Sequence, residues 1–524
     1  MKAKNQTLQI EKKYNITHHD QTNSYKLIFT LNNNSKTAYL IKCHTNSDIV
    51  FIPRSIKHET QEFFITNICE KSFSFSKMKS LKFDTDSKLQ TIEKKAFEGS
   101  SVECISIPST VSELKEGWCC DTRNLKKLKI NPGNHFFMNV DRKLLIGKSN
   151  FKGDEYDILI FVSRDQQSVV IPSFIKRIAS HSFEFSLIEK ISIPSQITQI
   201  CGHAFSFCTK LRTVEIPQDS NLQIIGKYAF SFSGIKDIFI PRNVKKIAKF
   251  AFADCSSLSR IEFAPDSELY TIEKHSFERT AIESITIPPH IKTICRNAFI
   301  RTFHMKNVDF AENSELKVIE KNAFFSSAVE RITIPSNVSE LKDGWCADAS
   351  ELKKVTLSPH NKHFSNFEGK LIIGKSDTKG EIFDVIAFAN RDIKSVTIPE
   401  NIRQIAPYAF AYSDIEKIII QPNITLLGEN SFYQCKKLQY VEIPSYSELE
   451  VIDSKAFAIS TIKSFFFPSS IKGIDISAFG NCEKLRLIEF DENFKLLNVI
   501  MFFVRNRLCQ NSDIMIPTKI RNCY

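Results

Sequence analysis

Apolar residues recur along this chain in a fixed phrase: two β-branched or aromatic residues one apart, a proline, two apolar residues three apart, and a small residue followed by Phe. Ile188 to Phe205 (IEKISIPSQITQICGHAF) shows it in full. The mark I-x-I-P or its equivalent ends at Ile171, Ile193, Ile216, Ile240, Phe263, Ile287, Phe310, Ile334 and Leu357, in steps of 22 to 24 residues. After a longer gap it resumes at Ile398, Ile420, Ile443, Phe467 and Phe490, with a last copy at Ile516. Upstream copies lie at Phe83, Ile107 and Ile130, with an opening one at Ile52. The I-x-I part alternates with period two and is β-branched, so it predicts a short strand with alternate side chains inward. Proline closes the strand because it has no amide to give a ladder.

A unit this short cannot bury its own apolar face. Stacking neighbours makes one continuous core. The second mark places Phe at 183, 205, 230, 252, 277, 299 and 324, and again at 410, 432, 457 and 479. That regularity accounts for much of a composition holding 44 Phe and only 15 Gly, and it predicts a stacked internal spine. The Phe spacing alternates between 22 and 25 residues, so the building block is a pair of unlike repeats, the longer carrying an insertion such as Asp266 to Glu268 or Asn313 to Glu315.

A larger duplication overlies this one. Ile107 to Ile130 (IPSTVSELKEGWCCDTRNLKKLKI) and Ile334 to Leu357 (IPSNVSELKDGWCADASELKKVTL) match at 15 of 24 positions and contain both tryptophans, Trp118 and Trp345, 227 residues apart. Each is followed by a 41-residue step holding Lys143 to Ser149 (KLLIGKS) or Lys370 to Ser376 (KLIIGKS). The fold expected is an α/β-class solenoid with a stacked parallel β-sheet, about nineteen repeats and two β-hairpin excursions near residues 131–170 and 358–397. A β-rich N-terminal cap would occupy 1–51, the solenoid 52–517 and a tail 518–524.

The repeated I-x-I-P-x-x-I-x-x-I-x-x-x-A-F resembles the BspA-like, or Treponema-type, leucine-rich repeat proteins over roughly Ile52 to Pro517. The resemblance implies a leucine-rich repeat solenoid, and for function an adhesin or surface antigen that contacts a host protein, the extracellular matrix or a cell. The chain departs from surface members of that group in showing no signal peptide in Met1 to Asp20, and it lacks the usual asparagine ladder.

Charge and chemistry change this picture little. The net charge of +11 comes from 70 basic and 59 acidic residues mixed along the chain, a solvated surface more than a nucleic-acid footprint. The most apolar window, Leu496 to Val504 (LLNVIMFFV), is about half of the ~20 residues that span a bilayer, and it predicts a buried terminal element with no transmembrane segment. Cys208, Cys255, Cys435 and Cys482 each follow a spine Phe by three residues, which reads as a structural slot of buried thiols; no paired CxxC motif indicates zinc. His18, His19, His203 and His275 show no partner at ligand spacing. The I-G-K-S at Gly147 and Gly374 lacks the rest of a phosphate loop and reads as a turn, and no G-x-S-x-G elbow is present. The expectation is therefore no cofactor, no metal and no catalysis.

If the strands stack in parallel, the outward positions form two columns. Most are small polar or charged residues. Toward the C-terminus Ile419, Tyr440, Phe466 and Leu487, beside Lys417, place large apolar groups where water is expected, so these five residues are the predicted contact for a protein partner unless the C-terminal segment folds over them. The function expected is a non-catalytic binding or adhesion scaffold. An intracellular leucine-rich repeat scaffold is the alternative, favoured by the buried thiols.

Overall fold

A computed structural model describes residues 15–19, 25–150, 153–377, 379–496 and 513–515. The terminal strand mark at Ile516, the 518–524 tail and most of the Leu496–Val504 window lie outside them. The chain forms two compact units, residues 1–244 and 245–524. Both are built from turns of the same repeat.

Most turns contribute two strands, while those marked by Ile171 and Ile398, after the two long steps, form only the shorter one. The I-x-I segment supplies one of about four residues, the I-x-x-I segment one of two residues, and each kind pairs with its counterpart in the next turn. In the first unit Lys190–Ser192 and Thr213–Glu215 run parallel in register, Ile191 opposite Val214. Gln199–Ile200 runs parallel to Ile224–Ile225 in a second sheet. In the second unit Ser284–Ile287 pairs with Asn307–Phe310, and Val318–Ile319 with Glu340–Leu341.

The described residues contain no helix, so the α/β label is not met. The reason lies in the segment around each spine Phe. In nearly every turn the residues two before and two after it take left-handed dihedrals, as at His203 (φ 56) and Phe207 (φ 58) around Phe205. A helix cannot continue through such residues. Their amide hydrogens instead bond to the next turn, His203 N to Lys227 O (2.9 Å) and Phe207 N to Ser231 O (2.8 Å).

The spine is present in both units. Phe183 stacks on Phe205 at 4.5 Å between ring centroids and Phe205 on Phe230 at 5.0 Å. Phe277, Phe299 and Phe324 continue the pattern in the second unit at 5.4 and 5.3 Å, as do Phe410, Phe432, Phe457 and Phe479. All are essentially inaccessible to solvent, each worth about 1.5–3 kcal/mol of burial.

The alternating repeat length is visible in the sheet. Across a 23-residue step the longer strands pair along their length: Cys104–Ile107 with Lys127–Ile130 at four positions, Arg331–Ile334 with Lys354–Leu357 at four. Across a 24-residue step they splay. Arg260 pairs with Ser284 and the following residues of the two strands do not, leaving a groove lined by Glu262, Phe263, Pro265, Thr286 and Ile287. The insertion Asp266 to Glu268 lies in the turn just after the splayed end. It lengthens that turn relative to the turn after Ile240.

Each of the two long steps, where a β-hairpin excursion is expected, places three antiparallel strands at the start of a sheet. Phe137–Val140, Leu144–Gly147 and Ile158–Val162 form an antiparallel meander, and its last strand pairs in parallel with Arg177–Ile178 of the short-strand sheet. Ser365–Phe367, Leu371–Gly374 and Val385–Ala389 repeat this, joining Gln404–Ile405. Each meander occupies a place in the sheet that ordinary turns fill elsewhere.

Candidate partner face and a buried imidazole cluster

Lys417, Ile419, Tyr440, Phe466 and Leu487 lie on four of the longer strands of the second unit. Lys417–Ile419 pairs with Tyr440–Glu442, and Ser464–Phe467 with Leu487–Phe490; the first pair and the second form separate sheets. This break is another 24-residue step, so the five residues straddle a splay.

Register decides which side chains are neighbours. Lys417 stands opposite Tyr440 and Ile419 opposite Glu442. Ser464 stands opposite Leu487 and Phe466 opposite Glu489. Ile419 is 44% exposed and Tyr440 49%, while Phe466 and Leu487 are half-buried, Phe466 resting on the core. The Lys417 ammonium is engaged by the Glu442 carboxylate at 2.5 Å, and the Lys463 ammonium lies over the Tyr440 ring, 5.2 Å from its centroid. The face is thus a chequer of large apolar groups and ion-paired charges. At its edge Asp513–Met515 pairs in parallel with Leu487–Phe490, so the described part of the C-terminal segment extends the sheet alongside Leu487.

The thiol slot has a definite bond. Cys208 Sγ donates to Phe183 O at 3.0 Å, Cys435 Sγ to Phe410 O at 3.1 Å and Cys482 Sγ to Phe457 O at 3.1 Å. Each thiol therefore caps the spine carbonyl one turn back. Burial pushes the Cys208 thiol up to about 12.

The family model for the BspA type leucine rich repeat region matches in six copies, over residues 47–141, 176–304, 270–368 and 381–508. The chain belongs to the BspA-type leucine-rich repeat family. No curated protein matches it. Among solved structures it is similar to a leucine rich cell surface protein from Faecalibacterium prausnitzii, at 17% identity and TM-score 0.42, with 97% of each chain covered. It is also similar to the pneumococcal vaccine antigen PcpA, at 15% identity and TM-score 0.40, over 91% of this chain and 82% of the other. A leucine-rich repeat protein from Bacteroides ovatus matches at 17% and 0.37, over 93% and 97%.

Two features of this BspA-type array escape the sequence reading. The first is a pair of fully buried arginines at equivalent places in the two halves. The Arg164 guanidinium donates to Ser182 O (2.7 Å) and His181 O (3.0 Å), and that of Arg391 to Ala409 O (2.7 Å) and Tyr408 O (3.2 Å). Their signal was the repeated Arg-Asp dipeptide, Arg164 and Asp165 against Arg391 and Asp392, after each meander.

The second concerns His203, which has no partner at ligand spacing along the sequence. The repeat itself supplies the partners. His181 lies one 22-residue turn earlier, and its ring stacks on that of His203 at 4.6 Å with 7° between planes. Glu184, three residues after His181, brings Oε2 to 3.0 Å from His181 Nδ1. The Asp121 amide also donates to Glu184 Oε2 at 2.8 Å. Burial, with His181 alongside, pushes the His203 imidazole down to about 4.

Proposed function

We propose that this chain is a non-catalytic binding or adhesion scaffold whose long-strand sheet meets a protein partner, with Lys417, Ile419, Tyr440, Phe466 and Leu487 as contact residues. The observation that carries the reading is the exposure of Ile419 and Tyr440 on a strand face whose other outward positions are mostly polar. Large apolar groups held in water by a packed scaffold are stabilised by being covered, and an aromatic with a polar rim is the usual anchor of a protein contact. The partner is a protein of the extracellular surroundings, such as a host or matrix protein, as the family resemblance implies. The chequered charges Lys417, Glu442, Lys463 and Glu489 would set orientation more than affinity.

The test compares wild type with the Tyr440→Ala, Ile419→Ala double variant for adhesion to immobilised matrix proteins and to host cells. Both side chains are exposed, so thermal unfolding stays within about 0.5 kcal/mol of wild type. Adhesion falls at least tenfold in the variant. Undiminished adhesion by a folded variant removes this face from the reading.

The buried thiols support a second reading, a scaffold that works in a reducing compartment. Antibody access to intact versus permeabilised cells separates the two, because only a displayed protein is reached without permeabilisation.

A further inference from the structure

We infer that His181, Glu184 and His203 form a binding site for a divalent transition-metal ion, with two imidazole nitrogens and one carboxylate oxygen as donors. The three coordinating atoms lie within 4.8 Å of one another. Imidazole with carboxylate suits borderline ions such as Zn²⁺ or Co²⁺ and leaves a fourth position for water.

Three observations converge here. The carboxylate is held in advance: Glu184 is 5% exposed, and the Asp121 amide fixes the oxygen that faces His181. An oriented ligand carboxylate of this kind is what metal sites use to set geometry. The two rings are partly open to solvent, which gives an ion a way in.

The third observation is the chain's own duplication. At the 227-residue offset the same slots hold Tyr408, Ala411 and Asn430, while the surrounding structure keeps Phe183 as Phe410, Arg164 as Arg391 and Cys208 as Cys435. The turn therefore folds without His, Glu and His. Their presence together in one half is a property of that half and not a demand of the repeat.

Donors around a tetrahedral zinc ion with Zn–N near about 2.1 Å stand roughly 3.4 Å apart, so binding draws the cluster inward. Parallel rings cannot both point their lone pairs at one ion. One must turn, and His203 is the ring that moves, leaving its stack on Tyr228 at 4.7 Å.

The test uses the full chain and Co²⁺ as probe, because its visible d–d spectrum reports coordination and a near-ultraviolet thiolate band would reveal cysteine ligation instead. Wild type gives a d–d spectrum that saturates at one equivalent with no thiolate band. Glu184→Gln, which keeps an acceptor for the Asp121 amide, and His203→Asn, the residue the other half uses, each weaken binding by about 100-fold or more, beyond the loss of a supporting partner. Circular dichroism without metal confirms that each variant is folded, and Glu184→Ala, matching Ala411, replaces either one that is not. No d–d spectrum, a thiolate band, or uptake unchanged in the folded variants overturns the site.

Discussion

The indole of Trp345 meets the ring of Phe324 edge-on, at 6.1 Å and 88°, and in the first unit Trp118 meets Phe97 in the same way at 5.9 Å and 87°. Elsewhere along the spine successive Phe rings lie within 19° of parallel. Both tryptophans stand where the next spine Phe fails to arrive at the usual spacing. Trp345 there leans on Phe388 of the meander, at 6.0 Å. The larger ring fills the volume where ordinary turn and meander join.

Trp345→Ala should therefore destabilise the protein by about 3–5 kcal/mol, the range for emptying a buried aromatic site. Tyr446→Ala, at a side chain 75% exposed, should change stability by less than about 0.5 kcal/mol. Urea unfolding of the two variants makes the comparison. Equal, small losses would show that the join is not packed around the indole.

Arg391→Lys tests the buried guanidinium. The planar fork reaches Ala389 O, Ala409 O and Tyr408 O at once and lies over the Phe388 ring, 4.4 Å from its centroid. A lysine ammonium cannot span carbonyls set in that fan, and a buried carbonyl left unpaired costs about 1–3 kcal/mol. The expected result is a loss of that size in urea unfolding, with Arg164→Lys behaving alike. A neutral outcome at both sites would mean that water takes over the carbonyls.

The thiol slot predicts an alkaline limb of stability. Burial raises Cys208 from the ordinary 9.0 to about 12, so between those values the folded chain keeps a proton that the unfolded chain has lost. The unfolded state then binds fewer protons, and stability, complete below pH 9, declines as pH rises toward 12, by at most about 1.4 kcal/mol per pH unit for each thiol. Cys208→Ser removes this contribution, and serine fits because the same slot holds Ser186 and Ser413. Urea unfolding at pH 8 and pH 10 should show the gap between wild type and variant shifting in the variant's favour. A gap independent of pH would place the thiolate in contact with water.

What the sequence made legible was whatever repeats in residue type. Ile191 and Ile193 announce a strand because their side chains must alternate inward, and Phe205 announces the spine because a large aromatic at a constant place needs a constant hole. The left-handed turns were hidden for the opposite reason. Glycine marks such turns when local chemistry sets them, but here stacking sets them, and His203 and Phe207 adopt φ of 56° and 58° while their amides donate to carbonyls of the next turn. That also concealed the imidazole cluster. His181 and His203 are neighbours only when the 22-residue turn is read as one rise, and Glu184 joins them only because the left-handed turn brings it back beside His181. The chequer of the partner face was half visible: the two columns were readable, but the register that sets Glu442 beside Ile419, and the splay between Tyr440 and Phe466, came from pairing.

Ile459 offers a test of that stacking argument from the other side. It takes φ 59°, a conformation in which a β-branched side chain crowds its own carbonyl, at a cost of about 1–2 kcal/mol. The equivalent slots after other spine Phe residues hold Gly99, Asp254 and Asn481, residues that tolerate the left-handed region. Ile459 is kept there by its amide, which donates to Gly480 O at 2.8 Å. Asparagine preserves that bond and relieves the crowding, at the loss of some half-buried methyl surface. Ile459→Asn should then raise stability by up to about 1 kcal/mol in thermal and urea unfolding. A clear loss instead would mean that the Ile459 side chain packs well enough to outweigh its strained backbone, and that apolar contact between turns, more than hydrogen bonding, holds the left-handed residues in place.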